Sequence, residues 1–596
     1  MFPLSDNVRR APESGFHDIP AFICACPEVG QSKSRNILPC LSGAVHLHLE
    51  TVALRADFPS AQPLDTLFSA NWYNRRFLLK MLDEEVEMKS GSAVRSTVAD
   101  GSPHGAASSS IEYRQRQKLD RYLNFFSSLA FSATLLASWE SAGGSLQAGL
   151  FNGGPAAIVY GIIVSGVGNL AIATSLAELA SVHPTAGAQY HWSYVLAPRY
   201  RRFISFFQGW VTFFSWAALV CISPYFIGTE IEGMAILAYP DYDAKRWQGT
   251  LLMWAVVLIP IIINIFARRL LAIIEVAAGV MHVVFLPVMI ATFVILAPRN
   301  SNAFVWDTFV SGLSGWENPG VVYSVGLLGV ITPLSGVDGI IHMSEEVKNA
   351  KVVIPRSMIY GTIINSVMAF GYLIAVLYCM GDYTAALTSP TGYPIITIAY
   401  QATGSKAATY VLMAMGMLPG WIALFNGLAS VTRLTWAFAR DNGLPFSDFF
   451  VKVDPRFKIP IRALFLVTTL VILLSFIQIG SSAAFNAILS LSTLGLYISY
   501  LIPLVLLVWK RFTAPKDIPQ GTFSLGKWGL PINLVAILFA TYFSIFLPFP
   551  SEVPVTGETM NYAGPVLGFV MLFACGDWLV RGRHKWNGPT MAYSRE

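Results

Sequence analysis

Charge is scarce in this sequence. Asp, Glu, Lys and Arg make up 13% of its 596 residues, about half the share usual in soluble domains. A water-soluble fold of this length needs more charge on its surface, so a large soluble protein is excluded. Cysteine is scarce too, with six in all. Cys24, Cys26 and Cys40 precede the first long apolar run, and Cys221, Cys379 and Cys575 lie within apolar stretches. Their spacing offers neither a metal site nor a disulfide framework. No basic start leads into an apolar stretch, so no secretory signal is read. The expected external loops lack N-x-Ser/Thr sequons. The apolar runs hold no His-rich cluster, no Gly-x-Ser-x-Gly turn and no paired aspartates. An enzyme is therefore not expected, nor a metal or cofactor. No repeated polar filter is present, which argues against a channel. The net charge of +5 is too mild to suggest a nucleic-acid partner.

What is present is apolar: 54% hydrophobic residues and a mean hydropathy of +0.54. Such a surface faces a lipid bilayer. An all-α integral membrane fold with about twelve transmembrane helices is expected. The runs fall near 122–147, 155–182, 203–236, 248–267, 270–297, 321–345, 357–380, 407–436, 461–479, 483–509, 530–549 and 562–580. Only the turn at Gly480–Ser482 separates the ninth from the tenth. Residues 1–120 are polar and rich in Ser and Pro, a composition that predicts a disordered cytoplasmic leader. Two readings of the stretch before Met88 stay open: a regulatory tail, or residues outside the working protein, with Met88 as its start. Residues 121–581 form the helical domain, and 582–596 a tail.

Lys and Arg alternate between loops. Arg199, Arg201, Arg202, Arg268, Arg269, Lys348, Lys351, Arg356, Arg440, Lys452, Arg456, Lys458, Lys510, Arg511, Lys516, Arg581, Arg583 and Lys585 fall in one set. The other set holds Lys245, Arg246, Arg299 and Lys406. The positive-inside rule makes the first set cytoplasmic and puts both termini inside.

Breaks inside spans are informative, because backbone in lipid must be satisfied unless the break lines a cavity. Span 1 carries Ser138-Trp139-Glu140-Ser141-Ala142-Gly143-Gly144. A carboxylate there costs about 2.5–3.5 kcal/mol, which a bound ammonium would offset; the bland alternative is a water-exposed Glu140 near a helix end. Span 6 carries Thr332-Pro333-Leu334-Ser335-Gly336-Val337-Asp338-Gly339. Pro removes a donor and the glycines permit unwinding; here the alternative is a structural kink with Asp338 bonded to nearby backbone. Matched breaks five spans apart point to a five-plus-five inverted repeat, with the solute held between them. The candidate solute contacts are Ser138, Glu140, Ser141, Gly143, Gly144, Ser335, Gly336 and Asp338. Trp139, Trp210, Phe214 and Tyr225 are candidate cavity walls, although aromatics at helical spacing usually pack. His282, Asn426 and Ser430 are candidates for ion coupling, and Glu275 for pairing with Arg268 or Arg269. Glu178 and Glu230 read as interfacial.

Two motifs carry a resemblance. One is Ala177-Glu178-Leu179-Ala180 with Pro184, Ala186, Gly187 and Tyr190. The other is Ser335-Gly336-Val337-Asp338 followed by His342-Met343-Ser344-Glu345-Glu346-Val347-Lys348-Asn349-Ala350 and Ile354-Pro355-Arg356. Both are similar to the amino acid–polyamine–organocation superfamily of permeases. Ser138–Glu140 and Gln147–Pro155 resemble its fungal-type branch of GABA, amino acid and choline permeases. The likeness covers about residues 113–590. It implies spans 1–10 as the repeat with 11 and 12 accessory, and solute import coupled to H⁺ or Na⁺. The implied solute is small and amine-bearing, such as an amino acid, GABA or choline. It implies a gating and folding role for Glu345–Arg356. The span 1 motif departs from the superfamily's Gly-Ser/Ala-Gly form, and its acidic residue favours a cationic end on the solute. The alternatives are a nutrient sensor on a transporter fold and an exchanger of polyamines or other organocations. The plasma membrane is the expected location, with the vacuole open.

Overall fold

The computed structural model describes residues 119–590 apart from Glu558. The leader before residue 119 and the last six residues lie outside the described residues, and with them the expectations about Met88, Cys24, Cys26 and Cys40. Among the described residues every element is helical, and pairing between extended segments is limited to two isolated bridges.

Span 1 is split into α1, Phe125–Leu136, and α2, Ser138–Phe151. Asn124 caps α1 in a reciprocal capping box with Ser127. Span 2 is α3, Gly154–Val182, entered through left-handed Gly153 with Pro155 in its first turn. A short helix, α4 (Ala188–Leu196), leads to span 3, made of α5 (Arg201–Leu219) and α6 (Ile222–Ala238). Spans 4 and 5 are α7 (Arg246–Phe266) and α8 (Arg268–Leu296). Span 6 is assembled from α9 (Pro319–Gly326), α10 (Leu328–Ile331), a 3₁₀ turn at Thr332–Leu334 and α11 (Gly339–His342). Span 7 is α12 (Ala350–Tyr378); after α13 (Pro394–Thr403), span 8 is α14 (Lys406–Arg440). Spans 9 to 12 are α15 (Ile461–Gly480), α16 (Ser482–Thr513), α17 (Gly529–Phe546) and α18 (Ala563–Asp577).

Among the described residues eleven helices are long and apolar enough to cross a membrane, and α1 and α2 precede the first of them. Spans 2 and 7 pack along each other, as do 4 and 9. Outward faces carry exposed Val367, Leu538, Phe569 and Leu572, as a bilayer-facing surface requires.

The break in span 6 falls as the sequence predicts: Ser335 is extended and Gly336 has φ +93°. Span 1 differs. Its break is the single residue Ala137, left-handed at φ +42°, and Ser138–Phe151 stays helical through both glycines. Gly143 and Gly144 serve packing rather than unwinding. A Cβ on Gly143 would sit 2.8 Å from the Tyr372 hydroxyl, and one on Gly144 would sit 3.3 Å from Phe226.

Candidate functional site

The two breaks and the middle of α14 enclose an inner cavity of about 110 Å³. Glu140 and Ser141 from α2, Thr332, Pro333 and Ser335 from span 6, and Trp216, Phe226 and Glu230 from span 3 line it. Gly416, Gly420 and Gly427 keep the α14 wall thin, and a Cβ on Gly416 would touch nothing within 4 Å. A second cavity of about 630 Å³ lies toward the loops poor in Lys and Arg. Gly144, Tyr225, Glu232, Tyr393 and Ser490 are in its wall. Ser145, Ile222, Phe226 and Thr332 border both cavities, so this vestibule adjoins the inner one. The hydroxyls of Thr229 and Tyr393 are bonded to each other beside that boundary.

Of the residues singled out from the sequence, Glu140, Ser141 and Ser335 meet at the inner cavity, and Gly144 and Tyr225 line the vestibule. Ser138 points elsewhere: its hydroxyl donates to the Asn365 carbonyl at 2.9 Å. Gly143 faces Tyr372 and Ile395, and Gly336 lies behind Leu219. Trp139 is buried and donates from its indole to the His282 carbonyl at 3.1 Å. Trp210 stacks on Phe214 and donates to Asp577 of α18, away from either cavity.

Asp338 is also outside the cavity wall. It is fully buried and accepts from Tyr500 and Gln189 at 2.5 Å each, Trp216 at 3.0 Å and His342 at 3.2 Å. It anchors the span 6 break to span 3, α4 and α16. A side chain so fully bonded holds a shape and leaves no capacity for a solute. Ser430 supports the same break, donating to the Gly339 carbonyl at 3.0 Å.

His282 sits behind Glu140, with Nδ1 2.6 Å from Oε1 and both side chains buried. Glu140 Oε2 and His282 Nε2 have no partner. Deeper between α1, α8 and α14, Asn426 donates to Glu275 at 2.7 Å and Thr134 donates to it at 3.0 Å. Glu275 Oε1 and Asn426 Oδ1 are unpartnered. The side chains of Arg268 and Arg269, expected beside Glu275, lie outside the described residues.

Two expected interfacial acids sit elsewhere. Glu178 is buried in an ion pair with Arg511 and accepts from the Leu525 backbone at 3.1 Å. Glu230 faces the inner cavity, whose wall takes residues from both α5 and α6; its place near the C-terminal end of span 3 disguised it.

At the Lys- and Arg-rich end, ion pairs tie the end of span 6 to span 8, and hydrogen bonds tie α4 to the loop after span 8 and the start of span 1 to the end of span 6. Arg433 pairs with Glu346 at 2.8 Å, both buried, and Arg440 pairs with Glu345 at 2.6 Å. Tyr190 of α4 donates to Asp441 at 2.8 Å. The backbone amides of Tyr122 and Leu123 donate to the Glu346 carbonyl at 3.0 and 3.1 Å.

Residues 123–572 match the family described as amino acid permease. The chain belongs to the amino acid permease family. It is 31% identical to the choline transporter of Saccharomyces cerevisiae over 79% of this chain and 83% of that one. It is 28% identical to Amino-acid permease BAT1 of Arabidopsis thaliana, over 80% of this chain and 95% of the relative. Amino-acid permease 2 of Neurospora crassa is 28% identical over 80% and 86%. This permease is therefore a multi-pass membrane transporter and not an enzyme.

Proposed function

We propose that this permease imports a small amine-bearing solute, an amino acid or a related amine such as GABA or choline, by alternating access. One observation carries the reading: a small cavity between the two span breaks that presents the Glu140 and Glu230 carboxylates. An ammonium group entering it would offset charges that are otherwise costly inside a membrane. The vestibule on one side and the ion-paired seal on the other suit a carrier open to one face at a time.

Coupling to H⁺ is part of the proposal. The Glu140–His282 pair touches the cavity and joins α2 to α8. Glu275 is a buried carboxylate held only by Asn426 and Thr134 among the described residues. A buried carboxylate is costly to leave charged without a partner, and a proton can be that partner. Under the positive-inside rule the sealed end is cytoplasmic, both termini are inside, and the vestibule faces out, at the plasma membrane.

The test is uptake of labelled choline, GABA and amino acids at pH 5 and pH 7 in cells lacking their own permeases. Saturable uptake, faster at pH 5 and reduced at least tenfold by Glu140→Gln with surface amount kept, is expected. Uptake unaffected by Glu140→Gln removes Glu140 from the site. Surface protein that carries none of these solutes refutes the import reading and points to a sensor.

A further inference from the structure

Two carboxylates line the inner cavity. Of its described lining residues, only Glu140 and Glu230 carry a formal charge; none is Lys, Arg or His. The two carboxylates differ in what stands behind them. Glu140 has His282 at 2.6 Å. Glu230 is half-buried at the cavity wall and makes no hydrogen bond or ion pair among the described residues. The titratable groups beside it are the hydroxyls of Tyr372 and Tyr393.

Resting on the transport reading above, we infer that Glu230 is the anchor for the positive charge of the solute, and that the site takes small organic cations in preference to zwitterions. Glu230 lies one helical turn after Phe226 on α6, so ring and carboxylate share one face. Trp216 adds a second aromatic side chain to the wall, and aromatic rings attract a cation. A solute carboxylate finds nothing comparable. Among the described residues no basic side chain lines the cavity to receive it. The half-helix start that would favour an anion, the first turn of α2, already holds Glu140. A zwitterion entering would place its negative end beside one of two carboxylates.

Solutes that differ only by a carboxylate test this. Choline and glycine betaine share a trimethylammonium group, and propylamine and GABA share a primary ammonium. Labelled uptake of all four is measured in permease-deficient cells expressing the full chain, beside Glu230→Gln and Glu230→Asp, with surface amounts quantified. The expected result is that a cation is carried with at least ~100-fold higher kcat/KM than its zwitterionic partner. Glu230→Gln should raise the KM for that cation at least tenfold and narrow the discrimination, while Glu230→Asp retains most of it. Equal or better uptake of the zwitterion by the wild-type chain overturns the inference and leaves import standing; so does an unchanged cation KM in Glu230→Gln. If neither variant reaches the surface, the wild-type comparison decides alone. Surface protein that carries none of the four, nor any amino acid, refutes import and this assignment together.

Discussion

His191 shows how burial, as the largest influence, sets a residue's behaviour. It lies on α4, outside the spans, and its Nε2 has no partner. Burial, reinforced by His183 and Arg440, lowers its pKa from the ordinary 6.5 to about 3. Between those values the unfolded chain binds a proton that the folded chain does not. Stability therefore rises with pH through this window and falls on acidification, by up to about 1.4 kcal/mol per pH unit. The detergent-solubilised protein is expected to melt at lower temperature at pH 5 than at pH 7, and His191→Gln should flatten that difference. An unchanged pH dependence in the variant would assign the acid sensitivity elsewhere. Among single residues, the sequence made polar groups inside apolar runs visible, which is how Glu140, Ser141 and Ser335 emerged. It could not separate a carboxylate facing a void from one fully bonded. Asp338 and Glu230 exchange their expected places for that reason: the four donors around Asp338 come from α4, span 3, α11 and α16, far apart in sequence.

At the scale of elements, the two breaks have different origins. Gly336 adopts φ +93° as glycine readily does, and Pro333 interrupts the helix just before it, so span 6 was legible. Ala137 carries a left-handed backbone without glycine or proline. That conformation costs roughly 1–2 kcal/mol for an L-residue, and only the surrounding packing stabilises it. Ser138, for instance, is held through both its backbone amide and its hydroxyl by Asn365 of α12. No local signal marks such a break. The glycines of α14 show the same distinction between packing and flexibility. Gly416 sits mid-helix, lines the cavity, and leaves open space where a Cβ would stand. Gly416→Leu is expected to fold, since leucine favours helix by about 1 kcal/mol over glycine. Its side chain fills the solute's space, so uptake should fall at least tenfold with surface amount kept. Normal uptake in that variant would place the solute elsewhere.

For the whole molecule, the span count and the charge asymmetry of the loops follow from composition along the chain. Which end is shut does not, because the seal joins residues about ninety positions apart: Glu346 with Arg433 and Glu345 with Arg440. The two pairs are not equivalent. Arg433 and Glu346 are both buried, so removing one partner strands a charge and costs about 3–5 kcal/mol. Arg433→Met is expected to lower expression or melting temperature sharply. Arg440 and Glu345 are partly exposed, so Arg440→Gln should leave the protein folded while weakening the seal. Alternating access then makes a definite demand. Weakening one end shifts the population toward the state open there, in which the opposite vestibule is closed. Ser490, in the vestibule wall, reports that closure. In a background without native cysteines, Ser490→Cys should react with a membrane-impermeant maleimide, and adding Arg440→Gln should slow the reaction several-fold. A labelling rate indifferent to Arg440→Gln would mean that the two ends open independently, and alternating access would have to be abandoned for this chain.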